Sequence, residues 1–217
     1  AESGVARAPP RLSVLWAIAF AGCAAAASTV ALALASEHVP QPTARAVVVD
    51  WVVLTYVLAG LVAWWRRPES RFGALMVAAG FAAFASHLSW SSLALPFGIA
   101  VPYTVGLACA LLPPALFLHA FLAFPTGRLE RPFDRVLVAA AYVTAIGLDL
   151  VVMTLGSLGP HNLVELASAP AAGEAVRRVQ LVTLSVFSLA GIVVLAGRRR
   201  GAGSPLRPSL ALLVDSF

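Results

Sequence analysis

Residues Leu111–Arg135 read LLPPALFLHAFLAFPTGRLERPFDR, and this stretch decides the fold. An apolar run ends at Phe124-Pro125, a turn follows at Thr126-Gly127, and arginines come at Arg128, Arg131 and Arg135. A second apolar run, VLVAAAYVTAIGLDLVVMTL, starts at once. Proline cannot continue the hydrogen-bond ladder of a helix, and glycine tolerates the left-handed conformation common just past a helix end. Arginines clustered between apolar runs favour the membrane face where headgroups are anionic and no translocation is required. The stretch therefore reads as two membrane-spanning helices joined by a tight cytoplasmic turn.

Composition points the same way. Hydrophobic residues make up 60% of the chain and charged ones 12%, against about 45–50% and about 25% in soluble domains. A soluble protein this apolar could not cover its own surface. The net charge of +5 comes from 15 arginines and no lysine. A basic balance can signal nucleic acid, but arginines set between apolar runs are the membrane pattern and exclude that partner. Cys23 and Cys109 stand alone in apolar runs without metal or redox spacing, so both read as small apolar side chains.

The theme recurs along the chain. Apolar runs at 12–35, 46–65, 72–93, 101–124, 133–155 and 179–196 predict six complete spans, with a truncated seventh at 209–217. The expected fold is all-α, a polytopic membrane helical bundle forming one domain over 1–217. The first run contains an A-x-A sequence at Ala33-Leu34-Ala35 but exceeds the length of a signal-peptide core, so it reads as an uncleaved span. Pro113-Pro114 must kink the fourth span. Trp16, Trp51, Trp64, Trp65 and Trp90 are expected near the two interfaces. Residues 156–178 form the only long polar connection, with a short interfacial helix expected at NLVELA. It is too small to bury a core of its own. The final run, SLALLVDSF, reaches only about 14 Å as a helix, half a bilayer core, so the sequence is expected to be part of a longer protein.

Orientation follows from the arginines. Twelve of the 15 fall in turns on one side: Arg7 and Arg11; Arg66, Arg67 and Arg71; Arg128, Arg131 and Arg135; Arg198, Arg199, Arg200 and Arg207. These read as inner-face anchors and place the N-terminus in the cytoplasm. Only Arg45, Arg177 and Arg178 fall on the other side.

Three stretches together resemble a known family: AWWRRPESRFGALMVAAGF, LFLHAFLAFPTGRLERPFDRVLVAAAYV and RRRGAGSPLRPSLALLVDSF. They are similar to the N-terminal multi-pass membrane (input) region of sensor histidine kinases from high-GC Gram-positive bacteria. There an Arg-Pro-Glu-x-Arg turn (here Arg67 to Arg71) precedes a Phe-Pro-x-Gly-Arg-Leu turn (here Phe124 to Leu129). The resemblance implies a downstream cytoplasmic module that binds ATP, dimerises and phosphorylates a histidine, with a response regulator as partner and the bacterial cell membrane as location. No part of that module lies in this sequence, so no catalytic residue is expected here.

Enzyme motifs are weak. Gly156-Ser157-Leu158-Gly159 has the wrong order for an intramembrane serine protease, and neither a Walker nor a dinucleotide fingerprint occurs. Metal-ligand spacing is absent too. Ionisable residues inside spans are costly and mark candidate sensing sites: His87, His119 and Asp149. His87 lies 15 residues past Phe72, and Asp149 lies 15 past Asp134. Each is thus about 22 Å from the arginine-rich face, and the matching depth predicts that they pair, with Ser86, Ser89 and Trp90 completing a polar cluster. Two function classes remain open: a signalling input region, or part of a multi-pass transporter, which would show broken helices meeting at mid-depth.

Overall fold

The computed structural model describes residues 10–36, 40–90, 100–156, 158 and 162–201, with the side chains of residues 199 and 201 excepted. All regular structure among them is helical. The truncated seventh run at 209–217, and Arg7 and Arg207, lie outside the described residues.

Helix α1 spans Leu12–Ala35, α2 Pro42–Arg66 and α3 Phe72–Ser86, and a 3-10 turn at His87–Trp90 closes α3. Then come α4 (Ala100–Ala108) and α5 (Leu112–Ala123), bent by 41° at the break between them. Pro113 and Pro114 sit in the first turn of α5, where a missing N–H costs no helix bond, so the break falls just ahead of them. Helix α6 (Pro132–Tyr142) runs through a π-helical turn (Val143–Gly147) into α7 (Leu148–Thr154), and α8 covers Pro170–Gly201. Five helical segments are long and apolar enough to cross a membrane, or six if the bent α4–α5 pair is one span. Large apolar side chains face outward all round them, including Trp16, Phe20, Val136 and Val193. A surface of that kind marks a membrane protein.

Packing divides into two halves that meet at α3 and α5. Leu15 of α1 joins Val53, Val57 and Leu61 of α2 and Val77 of α3 in one buried cluster. Leu118 and Leu122 of α5, Leu137 and Val138 of α6, and Leu184 and Leu195 of α8 form the other. Ala79 and Ala82 of α3 against Leu116 of α5 connect them. Where α2 crosses α3, a Cβ added at Gly73 would stand 2.5 Å from the Trp64 nitrogen and 2.6 Å from the Gly60 carbonyl oxygen. Only glycine allows this approach, the small-residue contact by which apolar helices pack without water to drive them.

The two arginine-bearing turns dock on each other. The Ser70 hydroxyl donates to the Pro125 carbonyl at 2.9 Å, and the Arg71 amide donates to the Thr126 carbonyl at 3.2 Å. Gly127, at φ +73°, packs its backbone against Arg71 and Phe72, a conformation and a space that a side chain would not tolerate.

Three expectations need correction. The NLVELA segment is not helical. Instead, the amides of Leu166 and Ala167 donate to the Thr154 carbonyl and that of Ala169 to the Leu155 carbonyl, so this irregular segment caps the end of α7. The last apolar helix starts at Pro170 rather than 179, which brings Arg177 and Arg178 into α8 instead of a loop. Trp16, Trp64 and Trp65 lie within two turns of helix ends, but Trp51 is ten residues into α2 and fully turned outward.

Candidate functional site

Helix α8 carries a polar seam. Arg177, Gln180, Leu184, Phe187, Gly191, Leu195 and Arg198 follow one another at steps of three or four, which places them on one helix face. That face packs on α5, α6, the π turn and α7. Its middle is apolar and its two ends are ionic.

At the end away from the arginine-rich turns, Arg177 Nη1 donates to Asp149 Oδ1 at 2.5 Å. Asp149 has no exposed surface, and the Arg177 side chain is 25% exposed. Burying a carboxylate alone costs several kcal/mol, and the guanidinium counter-charge together with neighbouring hydrogen-bond donors is what makes it tolerable. The Leu111 backbone, at the break between α4 and α5, and the Gln180 side chain lie beside the same carboxylate. Its second oxygen, Oδ2, has no well-formed hydrogen bond. One turn further along α8, Gln180 Nε2 donates to the carbonyls of Thr144 and Ala145, each at 3.1 Å. A π turn displaces backbone carbonyls from the regular ladder, and a buried amide from a neighbouring helix satisfies them.

At the arginine-rich end, Arg198 ties three helices together. One nitrogen donates to Asp134 Oδ2 and another to the Leu122 carbonyl at 2.8 Å. Asp134 is fully buried in the first turn of α6, where a helix dipole favours negative charge. Leu122 lies in the last turn of α5, where carbonyls lack intrahelical partners. Arg177 and Arg198 stand 21 residues apart, about 31 Å along the axis, close to the thickness of a bilayer core. The outer pair Arg178–Glu174 is exposed and contributes little.

The residues singled out from sequence are placed as follows. His87 Nδ1 lies 2.6 Å from the Ala83 carbonyl, so it carries the proton, and 3.0 Å from Ser86 Oγ. Its ring meets Trp90 edge to face at 4.4 Å. His87 therefore gathers Ser86 and Trp90, as the spacing suggested, but Asp149 is not part of that cluster. Helix α4 packs against both the 3-10 turn and α7, and Asp149 turns to Arg177. The expected His87–Asp149 pair does not form. His119 Nδ1 lies 3.1 Å from the Tyr142 hydroxyl, linking α5 to α6. Arg66, Arg67, Arg71, Arg128, Arg131, Arg135 and Arg200 are exposed at the turns or helix ends of the arginine-rich side. Arg198, by contrast, is drawn inward to Asp134, and the Arg199 side chain lies outside the described residues.

Asp134, Arg177 and Gln180 are not among the candidates from sequence, where Arg198 reads only as an inner-face anchor; nor is Asp50, an intramembrane carboxylate in α2 whose Oδ1 is buried without a partner. The three- and four-residue spacing from Arg177 to Arg198 was a usable signal for the seam. No group of three or more His, Cys, Asp or Glu side chains fit to hold a metal ion occurs among the described residues. No protein family matches this chain, and neither a characterised protein nor a solved structure matches it.

Proposed function

We propose that this chain is the membrane-embedded input region of a sensor histidine kinase, which relays a membrane-derived or lipophilic signal to a cytoplasmic kinase module through displacement of α8. The observation that carries this reading is the seam of α8, ionic at both ends and apolar between. A buried ion pair is a poor source of stability but a good two-state latch, because separating its partners inside a low dielectric costs several kcal/mol. Protonation of Asp149, or a ligand competing for Arg177, releases the outer latch. The rigid helix carries that change to Arg198, which holds α5 and α6. The docking of the Arg67–Arg71 and Phe124–Leu129 turns supports the reading, since these turns belong to two of the three stretches on which the family resemblance rests.

In this reading the arginine-rich side faces the cytoplasm of a bacterial cell, with the N-terminus inside. The kinase module uses ATP, forms the homodimer and passes its phosphoryl group to a response regulator. The test is autophosphorylation of the full-length gene product with labelled ATP, reconstituted in liposomes. Label is expected on histidine, and Asp149→Asn is expected to change its basal level. A folded, unlabelled protein sinks the reading.

A second reading has its own observation. The break between α4 and α5 places the Leu111 backbone beside buried Asp149, and a broken helix next to an intramembrane carboxylate is a feature that transporters use. Proton-coupled uptake into proteoliposomes that is abolished by Asp149→Asn, without histidine labelling, favours transport.

A further inference from the structure

Between α3, the Phe124–Leu129 turn and α6 lies an open cleft of about 680 Å³ at the arginine-rich end. Arg71, Arg128 and Arg135 line it, with Leu75 and Leu129 as apolar walls and His119 among its deeper residues. Three guanidinium groups around one cavity repel each other, yet none of the three forms an ion pair among the described residues. Glu69 and Glu130 are the nearest acids in sequence, and both are exposed and unpaired with them. Asp134 in the same region is committed to Arg198.

The backbone at Arg71 and Arg128 and the side chain of Arg135 are also held in place. The Arg71 amide is fixed by the Thr126 carbonyl, the Arg128 amide donates to Thr126 Oγ1 at 3.3 Å, and Arg135 Nε donates to the Leu129 carbonyl at 2.9 Å. That last bond leaves both terminal nitrogens of Arg135 to project from the turn. His119 is anchored through Nδ1 to Tyr142. It stands five residues before Phe124, about 7 Å below the end of α5. The cavity is thus cationic at the rim, has an imidazole lower down, and sits where helix ends meet headgroups.

We propose that this cleft binds a phosphate group, held between Arg71, Arg128 and Arg135. Planar guanidinium donors match phosphate oxygens in pairs, and three arginines lining one cleft suit an anion rather than a neutral headgroup. The location favours the phosphate of an anionic phospholipid, with the acyl chains leaving along Leu75 and Leu129. Free inorganic phosphate offers the same oxygens from solution. This inference is independent of the output that the chain drives.

Native mass spectrometry of the protein released from mixed phosphatidylglycerol and phosphatidylcholine nanodiscs tests it, with titration of inorganic phosphate against protein in phosphatidylcholine nanodiscs as the second arm. Retained phosphatidylglycerol is expected to exceed phosphatidylcholine. The double variant Arg128→Gln with Arg135→Gln is expected to lower that preference by about tenfold, and the equal-charge control Arg66→Gln with Arg131→Gln to leave it within about twofold. Leu75→Trp, which fills the cleft without changing charge, is expected to produce the same loss and serves if the double variant does not fold. Phosphate binding that depends on Arg128 and Arg135, without lipid preference, upholds the site and assigns it to a soluble source. Equal lipid retention in cleft and control variants, with no phosphate binding, overturns the proposal.

Discussion

Arg177 and Asp149 form the contact with the largest stake for a single substitution. Removing the arginine leaves a fully buried carboxylate with no counter-charge, and such losses cost about 3–5 kcal/mol. Arg177→Ala is therefore expected to lower the thermal unfolding midpoint in detergent far more than Arg178→Ala, whose partner Glu174 is exposed. Asp149→Asn combined with Arg177→Gln, which removes both charges, is expected to recover most of the loss. A double variant as unstable as Arg177→Ala alone would show that the charge pairing is not the cause. Gln180→Leu strips two carbonyls of their donor, with a cost of about 1–3 kcal/mol. Amide exchange faster through Val143–Gly147 than through α6 in that variant checks it, since those carbonyls belong to the π turn.

At the scale of elements, α8 is the one whose extent departs most from the sequence reading. A run of 179–196 follows from excluding charges from a span, and that exclusion holds only for unpaired charges. Asp149 supplies the missing partner, and the helix extends back to Pro170. Amide exchange is expected to show protection from Gly173 onward, where the N–H donates to the Ala169 carbonyl. Unprotected amides up to residue 178 would refute the longer helix. The segment before it has a different duty. Asn162 Nδ2 donates to the Met153 carbonyl at 2.6 Å, so the polar connection covers the carbonyl end of α7 where a helix lacks partners. The same composition that suggested an interfacial helix serves here as a cap.

For the whole molecule, the two packed halves and their apolar outer surface fit a bilayer, and the proposed orientation rests on the arginine asymmetry. Reporter fusions after Arg128 and after Arg200 are expected to behave as cytoplasmic, and a fusion after Pro40 as external. The reverse pattern would invert the proposed direction of signalling. The contact between α2 and α3 holds the first half together, so Gly73→Leu is expected to unfold or detach α1–α3 in detergent, because its Cβ meets backbone atoms of α2 rather than a movable side chain.

Sequence by itself determined the all-helical class, the positions of most spans, the kink ahead of Pro113-Pro114 and the side on which the arginines gather. Those features rest on local physics: apolar length against bilayer thickness, the missing proline N–H, and the cost of moving arginine across a membrane. Tertiary structure decided which charges meet. Helical spacing puts Arg198 on one face with Arg177, but only packing draws it in to Asp134, and Asp149 turns to Arg177 rather than to His87 because α4 packs between the 3-10 turn and α7. Depth along a helix can be counted from sequence, but the direction a side chain faces depends on which helices lie next to it, and that is settled only when the bundle packs.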